Sequence, residues 1–257
     1  MTQTQGSSPA RSAAGTAPHP VLAHRYAGPE EREGFVRNLF DQTAPHYDRI
    51  DRIFSLGTGP GYRRRALREA GLRPGMRVLD VAVGTGLVAR QAVALAGDPA
   101  LVTGLDPSEG MLAEARRSLP GVTLIQGRAE RIPLPDNSVD FLSMGYALRH
   151  VADLGAAFAE YRRVLRPGGT VLILEIGRPE SRLARAIARF YMGAAIPALC
   201  WVAAPRHRSG ELMAYYWETI EACVPAETIL AAMEQAGFAG AACTTELEVF
   251  RAYTARA

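Results

Sequence analysis

The run Arg77-Val-Leu-Asp-Val-Ala-Val-Gly-Thr-Gly86, with Gly104-Leu-Asp106-Pro-Ser108 about twenty residues on, constrains the fold more than any other part of the chain. An apolar run ends in the acid Asp80. A turn of small residues follows, and a helix-compatible stretch then leads to a second apolar run ending in the acid Asp106. That is the pattern of a βαβ unit, which holds a ligand at the carboxyl ends of its strands. Glycine at 84 and 86 predicts close approach of backbone to ligand, because a Cβ would intrude. Asp106 is placed to accept from ribose hydroxyls, and Asp80 to meet a cationic amine. A dinucleotide would set its pyrophosphate at the turn, where an acid gains nothing. S-adenosyl-L-methionine carries an ammonium and no phosphate, and it fits better. The turn alone also satisfies the pattern of a nicotinamide-dependent oxidoreductase, with Ala89 in the last place, and it is compatible with an ordinary tight turn.

Short apolar runs alternate with helical stretches through the middle of the chain. The expected strands are 77–82, 101–105, 122–125, 139–144 and 170–176. Helices are expected from the first turn to about 95 and over 109–118, where Ser108 is a suitable N-cap. A further helix is expected over 153–165, closed by Arg166-Pro-Gly-Gly169, whose glycines release the chain into the fifth strand. This alternation predicts an α/β fold of Rossmann-like type, with a mostly parallel sheet covered by helices on both faces. The last third breaks the pattern, with helices over 181–201, 211–223 and 226–236 and final strands over 241–245 and 248–254.

At 257 residues the chain supports one substantial α/β domain. We assign that domain to 29–257, with a helical cap over 29–71 and a helical lid insertion over 181–223. Residues 1–28 are rich in Ser, Ala, Thr, Gly and Pro, carry no acid and show no apolar period, so a disordered tail is expected there. They contain no apolar stretch of secretory-signal type. A formal charge of +3 is too small to argue for nucleic acid. The three cysteines, Cys200, Cys223 and Cys243, have no metal-ligand spacing, so no metal is expected, and they suit a reducing, cytoplasmic compartment. Between Ser181 and Gly210 there are five arginines and no acids. Arg182, Arg185 and Arg189 share one helical face, and Leu183, Ile187, Phe190, Tyr191 and Ala194 share the other. Two readings are open for this stretch: a core-packed helix with a solvated basic face, or a peripheral contact of 181–205 with an anionic membrane surface.

The ordered set Leu79-Asp80, Gly84-Thr85-Gly86, Asp106-Pro-Ser108, Pro133-Leu-Pro-Asp-Asn-Ser-Val-Asp140 and Val164-Leu-Arg-Pro-Gly-Gly169 resembles class I methyltransferases. Segments outside the cofactor motifs are similar to the ubiquinone/menaquinone biosynthesis C-methyltransferases. These are Phe40-Asp-Gln-Thr-Ala-Pro-His-Tyr47-Asp48, Ser55-Leu-Gly57, Leu148-Arg149-His150-Val151, Leu174-Glu175, Ile196-Pro197 and Glu218-Thr219-Ile220. The chain departs from that pattern at Arg128, where an acid or amide usually faces the adenine amine, and at Gly145, which replaces a serine. It also departs at His150, which replaces an asparagine, and in its last strand.

The resemblance implies S-adenosyl-L-methionine as cofactor and methyl transfer to a small aromatic, foremost a ring carbon of a prenylated quinol. It assigns Asp80, Ala82, Gly84, Thr85, Gly86, Asp106, Arg128, Ala129 and Gly145 to the cofactor, with Tyr47 folding over it as a lid. The backbone N–H of Ala129 would contact adenine. Arg128 has only donors and is either near the adenine or a plain solvated arginine. For catalysis, Arg149 would stabilise a phenolate or activate a water, and His150 is the candidate general base. A structural role for His150 is the competing reading. Methylation of a soluble secondary metabolite and a non-catalytic binding protein of this fold are the alternatives.

Overall fold

The computed structural model describes residues 16–203 and 209–257. Its middle layer is a seven-stranded sheet. The strands are β1 (Val78–Val81), β2 (Val102–Asp106), β3 (Thr123–Gln126), β4 (Val139–Gly145), β5 (Leu165–Ile176), β6 (Ala239–Glu246) and β7 (Phe250–Arg256). They lie in the order β3-β2-β1-β4-β5-β7-β6. The pairs β1–β2, β1–β4, β2–β3 and β4–β5 are parallel, and β7 runs antiparallel to both β5 and β6. Strand order reverses between β1 and β4, so a crevice opens at their carboxyl ends, where such sheets bind ligands.

The expected mostly parallel sheet is therefore present, and each face is buried by its own helices. On one face α2 (Gly59–Glu69), α3 (Leu87–Ala96) and α4 (Glu109–Ser118) pack on Val78, Val102, Phe141 and Leu172. On the other, α5 (Leu154–Val164) and α9 (Ala226–Gln235) cover Leu79, Val81, Leu142 and Ile173. Alternation of strand residues between these two groups, Val78 and Leu79 for instance, is the period of two that a sheet buried on both sides requires.

A third apolar group joins the cap to the insertion. The cap helix α1 (Pro29–Phe54) begins with Pro29 at its first turn and Glu30 and Glu31 beside it, a favourable start for a helix. Leu39 and Ile50 of α1 pack on Met192, Ile196, Leu212 and Tyr215. These come from α7 (Ile196–Ala203), α8 (Ser209–Ala222) and the π-helical turn Tyr191–Ala195 that follows α6 (Arg182–Phe190). Ser108 caps α4 as expected, its hydroxyl oxygen accepting from the Met111 N–H at 3.0 Å.

Three expectations are corrected. First, β5 starts at Leu165, directly after α5, and Arg166-Pro-Gly-Gly169 lies inside the strand. Pairing shifts register between Val139 and Phe141, and this bulge accommodates the glycines. Second, α6 packs no residue into the core. Leu183, Ile187 and Phe190 are 72%, 59% and 68% exposed, while Tyr191 turns inward and donates to the Phe54 carbonyl at 2.8 Å.

Third, the expected disordered tail is ordered over 16–28; residues 1–15 lie outside the described residues. The Thr16 carbonyl accepts from the Leu154 N–H at 3.0 Å, and the Pro18 carbonyl from the Val224 N–H at 2.8 Å. His19 and Tyr26 are buried, and Arg25 forms a two-pronged bond with Glu218. Composition misled here because the partners are long-range: the strap borrows a core it cannot supply. Deleting residues 1–28 is therefore expected to cost about 2–3 kcal/mol, from lost Tyr26 burial and unpaired groups. The thermal midpoint should fall by about 5–10 °C. A differential scan that superimposes on the full chain would contradict this.

Candidate active site

The crevice at the β1/β4 switch point is a cleft with about 1070 Å³ of empty space, its solvent mouth included. Its floor is the turn after β1 and the end of β4, contributing Ala82, Gly84 and Gly145. Its roof is α1. Arg32, Val36, Phe40 and Tyr47 recur at helical spacing and face the cleft together. The Thr85 hydroxyl donates to Asp48 at 2.5 Å and ties turn to roof.

Of the expected cofactor residues, Tyr47, Ala82, Gly84, Asp106, Arg128, Ala129 and Gly145 line the cleft. Asp80, Thr85 and Gly86 are not among its lining residues. The reason for glycine at 86 also differs from the expectation. Its φ is +95° and an added Cβ would meet Leu119 at 2.5 Å, so it serves helix packing and not ligand approach. At Gly84 a Cβ would meet nothing, and φ of +56° is the constraint. Ala82 and Tyr146 hold left-handed backbone as well, with φ of +54° and +60°. Strain of this kind gathers at ligand sites, where surrounding structure over-determines the backbone.

The two strand-end acids are nearly fully buried. Asp106 accepts from the Gly84 and Ser108 N–H groups, each at 2.8 Å. Asp80 accepts from the Ser143 hydroxyl at 2.6 Å, and its Oδ2 has no hydrogen bond. Burial pushes Asp80 up to about 7 and Asp106 up to about 6, against the bonds that favour their charged forms. A buried carboxylate oxygen without a partner is a vacant acceptor for an ammonium. S-adenosyl-L-methionine thus fits the residues present.

Arg128 is engaged elsewhere. It pairs with Glu33 of α1 and, at 3.4 Å, with Glu130. It lines the cleft, ties it to α1 through Glu33 and stays 43% exposed.

The far end of the cleft is aromatic. Phe40, Tyr47, His150 and Tyr216 form its wall. The Tyr47 and Tyr216 hydroxyls are 2.9 Å apart. The His150 ring stacks on Tyr215, with centroids 5.4 Å apart and planes at 18°, and meets Phe40 edge-on. Its Nδ1 is 3.2 Å from the Tyr215 hydroxyl, and its Nε2 is buried without a hydrogen bond. Burial, reinforced by Arg149 and Arg32, lowers His150 well below the usual histidine range, so the ring is neutral.

Arg149 does not line the cleft. Its guanidinium is bonded to Glu175, to the Tyr146 carbonyl at 2.9 Å and to Thr219 at 3.2 Å. It lies 4.7 Å from the centre of the Tyr216 ring. Glu175 neutralises the charge that the resemblance assigns to a phenolate. No sequence motif marks Tyr215, Tyr216 or Arg32, and the Tyr215-Tyr216-Trp217 run resembles any core helix.

Fold and cleft define a class I, S-adenosyl-L-methionine-dependent methyltransferase. Among solved structures, a SAM-dependent methyltransferase from Aquifex aeolicus has this fold, with a TM-score of 0.55 at 20% identity over 76% of this chain and 88% of that one. The model of the ubiE/COQ5 methyltransferase family matches residues 28–246, and the chain belongs to that family. It is 36% identical to the demethylmenaquinone methyltransferase of Symbiobacterium thermophilum over 73% of this chain and 77% of the relative. It is 33% identical to the ubiquinone/menaquinone biosynthesis C-methyltransferase of Shewanella halifaxensis over 81% and 84%.

Proposed function

We propose that the enzyme methylates a ring carbon of a prenylated quinol in quinone biosynthesis. One observation carries the reading: a single cleft joins the buried strand-end acid Asp106 to an aromatic wall where the neutral His150 ring keeps its Nε2 without a hydrogen bond. The relatives named above are, by their names, a demethylmenaquinone methyltransferase and a C-methyltransferase of ubiquinone/menaquinone biosynthesis. In this reading Asp80 Oδ2 takes the cofactor ammonium, Asp106 the ribose and the Ala129 N–H the adenine.

When bound, S-adenosyl-L-methionine supplies a methyl group already activated on a sulfonium. The chain's own tasks are alignment, exclusion of water and proton removal. Phe40, Tyr47 and Tyr216 hold the ring, and α1 shields it. A ring carbon that has gained a methyl must lose its proton to regain aromaticity, and that proton is strongly acidic. A weakly basic imidazole is therefore sufficient. His150 serves when Nδ1 donates to the Tyr215 oxygen, which leaves the Nε2 lone pair for the proton.

The exposed apolar stripe of α6 supports a lipid-borne substrate. Leu183, Ile187 and Phe190 stand beside Arg182 and Arg189, an arrangement suited to an anionic bilayer surface. No helix among the described residues is long and apolar enough to cross a membrane. Incubation of demethylated prenylated naphthoquinol in anionic vesicles with cofactor tests the proposal. A mass gain of one CH2 is expected. Cofactor binding without any methylated quinol would remove the substrate assignment.

Cofactor affinity should depend on pH. Both acids are raised, so the ligand-free fold keeps protons that the unfolded chain releases near pH 4; that stabilisation is full below about pH 4 and is lost as pH rises through about 6 for Asp106 and about 7 for Asp80. A cationic ligand requires Asp80 ionised. Calorimetric affinity should therefore weaken about tenfold per pH unit below about 7. A flat profile from about pH 5.5 to 8 would exclude Asp80 as the ammonium site.

A further inference from the structure

Arg32 is a buried cation without a counter-ion. It projects from the first turns of α1 into the cleft and is 7% exposed. Its Nη2 donates to the Arg149 carbonyl at 2.7 Å and to His19 Nε2 at 2.9 Å. Its Nε has no hydrogen bond. Among the described residues no carboxylate forms a salt bridge with it; the neighbouring Glu33 is taken by Arg128. Arg149 next to it has Glu175, so the contrast is within a single cluster. Burying an unpaired charge is strongly unfavourable, and an anion bound in the cleft would offset that cost.

His19 holds Arg32 in place. Its Nδ1 lies 2.7 Å from the Pro20 carbonyl and so carries the proton, which leaves Nε2 as the acceptor for the guanidinium. Burial and the Arg32 charge lower His19 to about 4, so it stays neutral and adds no competing charge. His19 belongs to the strap at 16–28, almost all of it outside the residues matched by the family model, 28–246.

We propose that Arg32 binds an ionised oxygen on the aromatic substrate, and that His19 is the positioning residue that aims it. Arg32 thus fills the role that Arg149, bonded to Glu175, cannot. A free phenol ionises near pH 10, so a guanidinium at contact raises the phenolate fraction in the cleft and the electron density at the ring carbon. The inference rests on methyl transfer to a hydroxylated ring. The cofactor carboxylate is the other anion the cleft could present to Arg32.

The test uses the full chain saturated with S-adenosylhomocysteine and 2-naphthol as a probe, whose absorption changes on ionisation. It reads binding alone, so it stands even if quinol turnover is never seen. The parent should bind the naphtholate and lower its ionisation by about one pH unit or more. Arg32→Gln should weaken naphtholate binding about 10–100-fold and restore the free ionisation. Arg32→Lys should recover part of both. His19→Ala should mimic Arg32→Gln, and His19→Gln, whose side-chain oxygen can accept from Arg32, should rescue it. S-adenosylhomocysteine affinity should be unchanged in all four. Loss of S-adenosylhomocysteine binding with naphtholate binding intact would assign Arg32 to the cofactor carboxylate and overturn the proposal. Equal naphtholate binding and ionisation in the parent and Arg32→Gln would also overturn it.

Discussion

Glu175→Ala should destabilise the fold by about 3–5 kcal/mol, the usual penalty for stranding one partner of a buried ion pair. Glu175 and Arg149 are 2% and 1% exposed. Glu175 is the only carboxylate that bonds this guanidinium among the described residues, and it also accepts from the Arg149 backbone N–H at 3.3 Å. Removing it leaves a buried cation against the Tyr216 ring. The damage should reach function, because Tyr216 is the cleft wall and shares a hydrogen bond with the Tyr47 roof. Replacing both partners by apolar residues, Arg149→Met with Glu175→Leu, should return most of the stability but not the activity. Urea unfolding of the single and the double variant beside the parent measures this. A Glu175→Ala midpoint equal to the parent's would show that the pair carries no weight.

His150→Ala should lower turnover about 10²–10⁴-fold, as expected for loss of a general base, while cofactor affinity stays near the parent value. The imidazole Nε2 is the unpartnered polar atom of the aromatic wall. The cofactor contacts proposed for Asp80, Asp106 and Ala129 do not involve it. The pH profile carries a second check. Burial holds His150 neutral through the usual histidine range, so at saturating cofactor the rate should not fall until well below pH 6.5. His150→Asn separates two cases. Its turnover collapses if the imidazole is the base, and it matches the parent if a water does that work. Single-turnover rates at neutral pH decide it.

Much of the cofactor side was legible because it is written locally. Asp80, the small-residue turn and Asp106 lie within one βαβ unit, and turn chemistry and strand period specify such a unit over about thirty residues. The sheet and its parallel core follow from the same periodicities. The substrate side was not legible in this way. Phe40 and Tyr47 come from the cap, His150 from the loop after β4, and Tyr216 from the insertion. Nothing local marks them as neighbours.

The sequence by itself determined the α/β architecture, the cap of α4 by Ser108 and the strand-end acids, since each depends on residues a few positions apart. Tertiary structure alone decided four things. Gly86 is required by Leu119 and not by a ligand. Arg149 is spent on Glu175. The strap at 16–28 is ordered by Leu154, Val224 and Glu218. Arg32 is left as a buried cation of the cleft with no carboxylate partner among the described residues. In each case the deciding partner lies dozens of residues away or more, and the physics is burial: a charge, a Cβ or a backbone N–H gains its meaning from what excludes water around it.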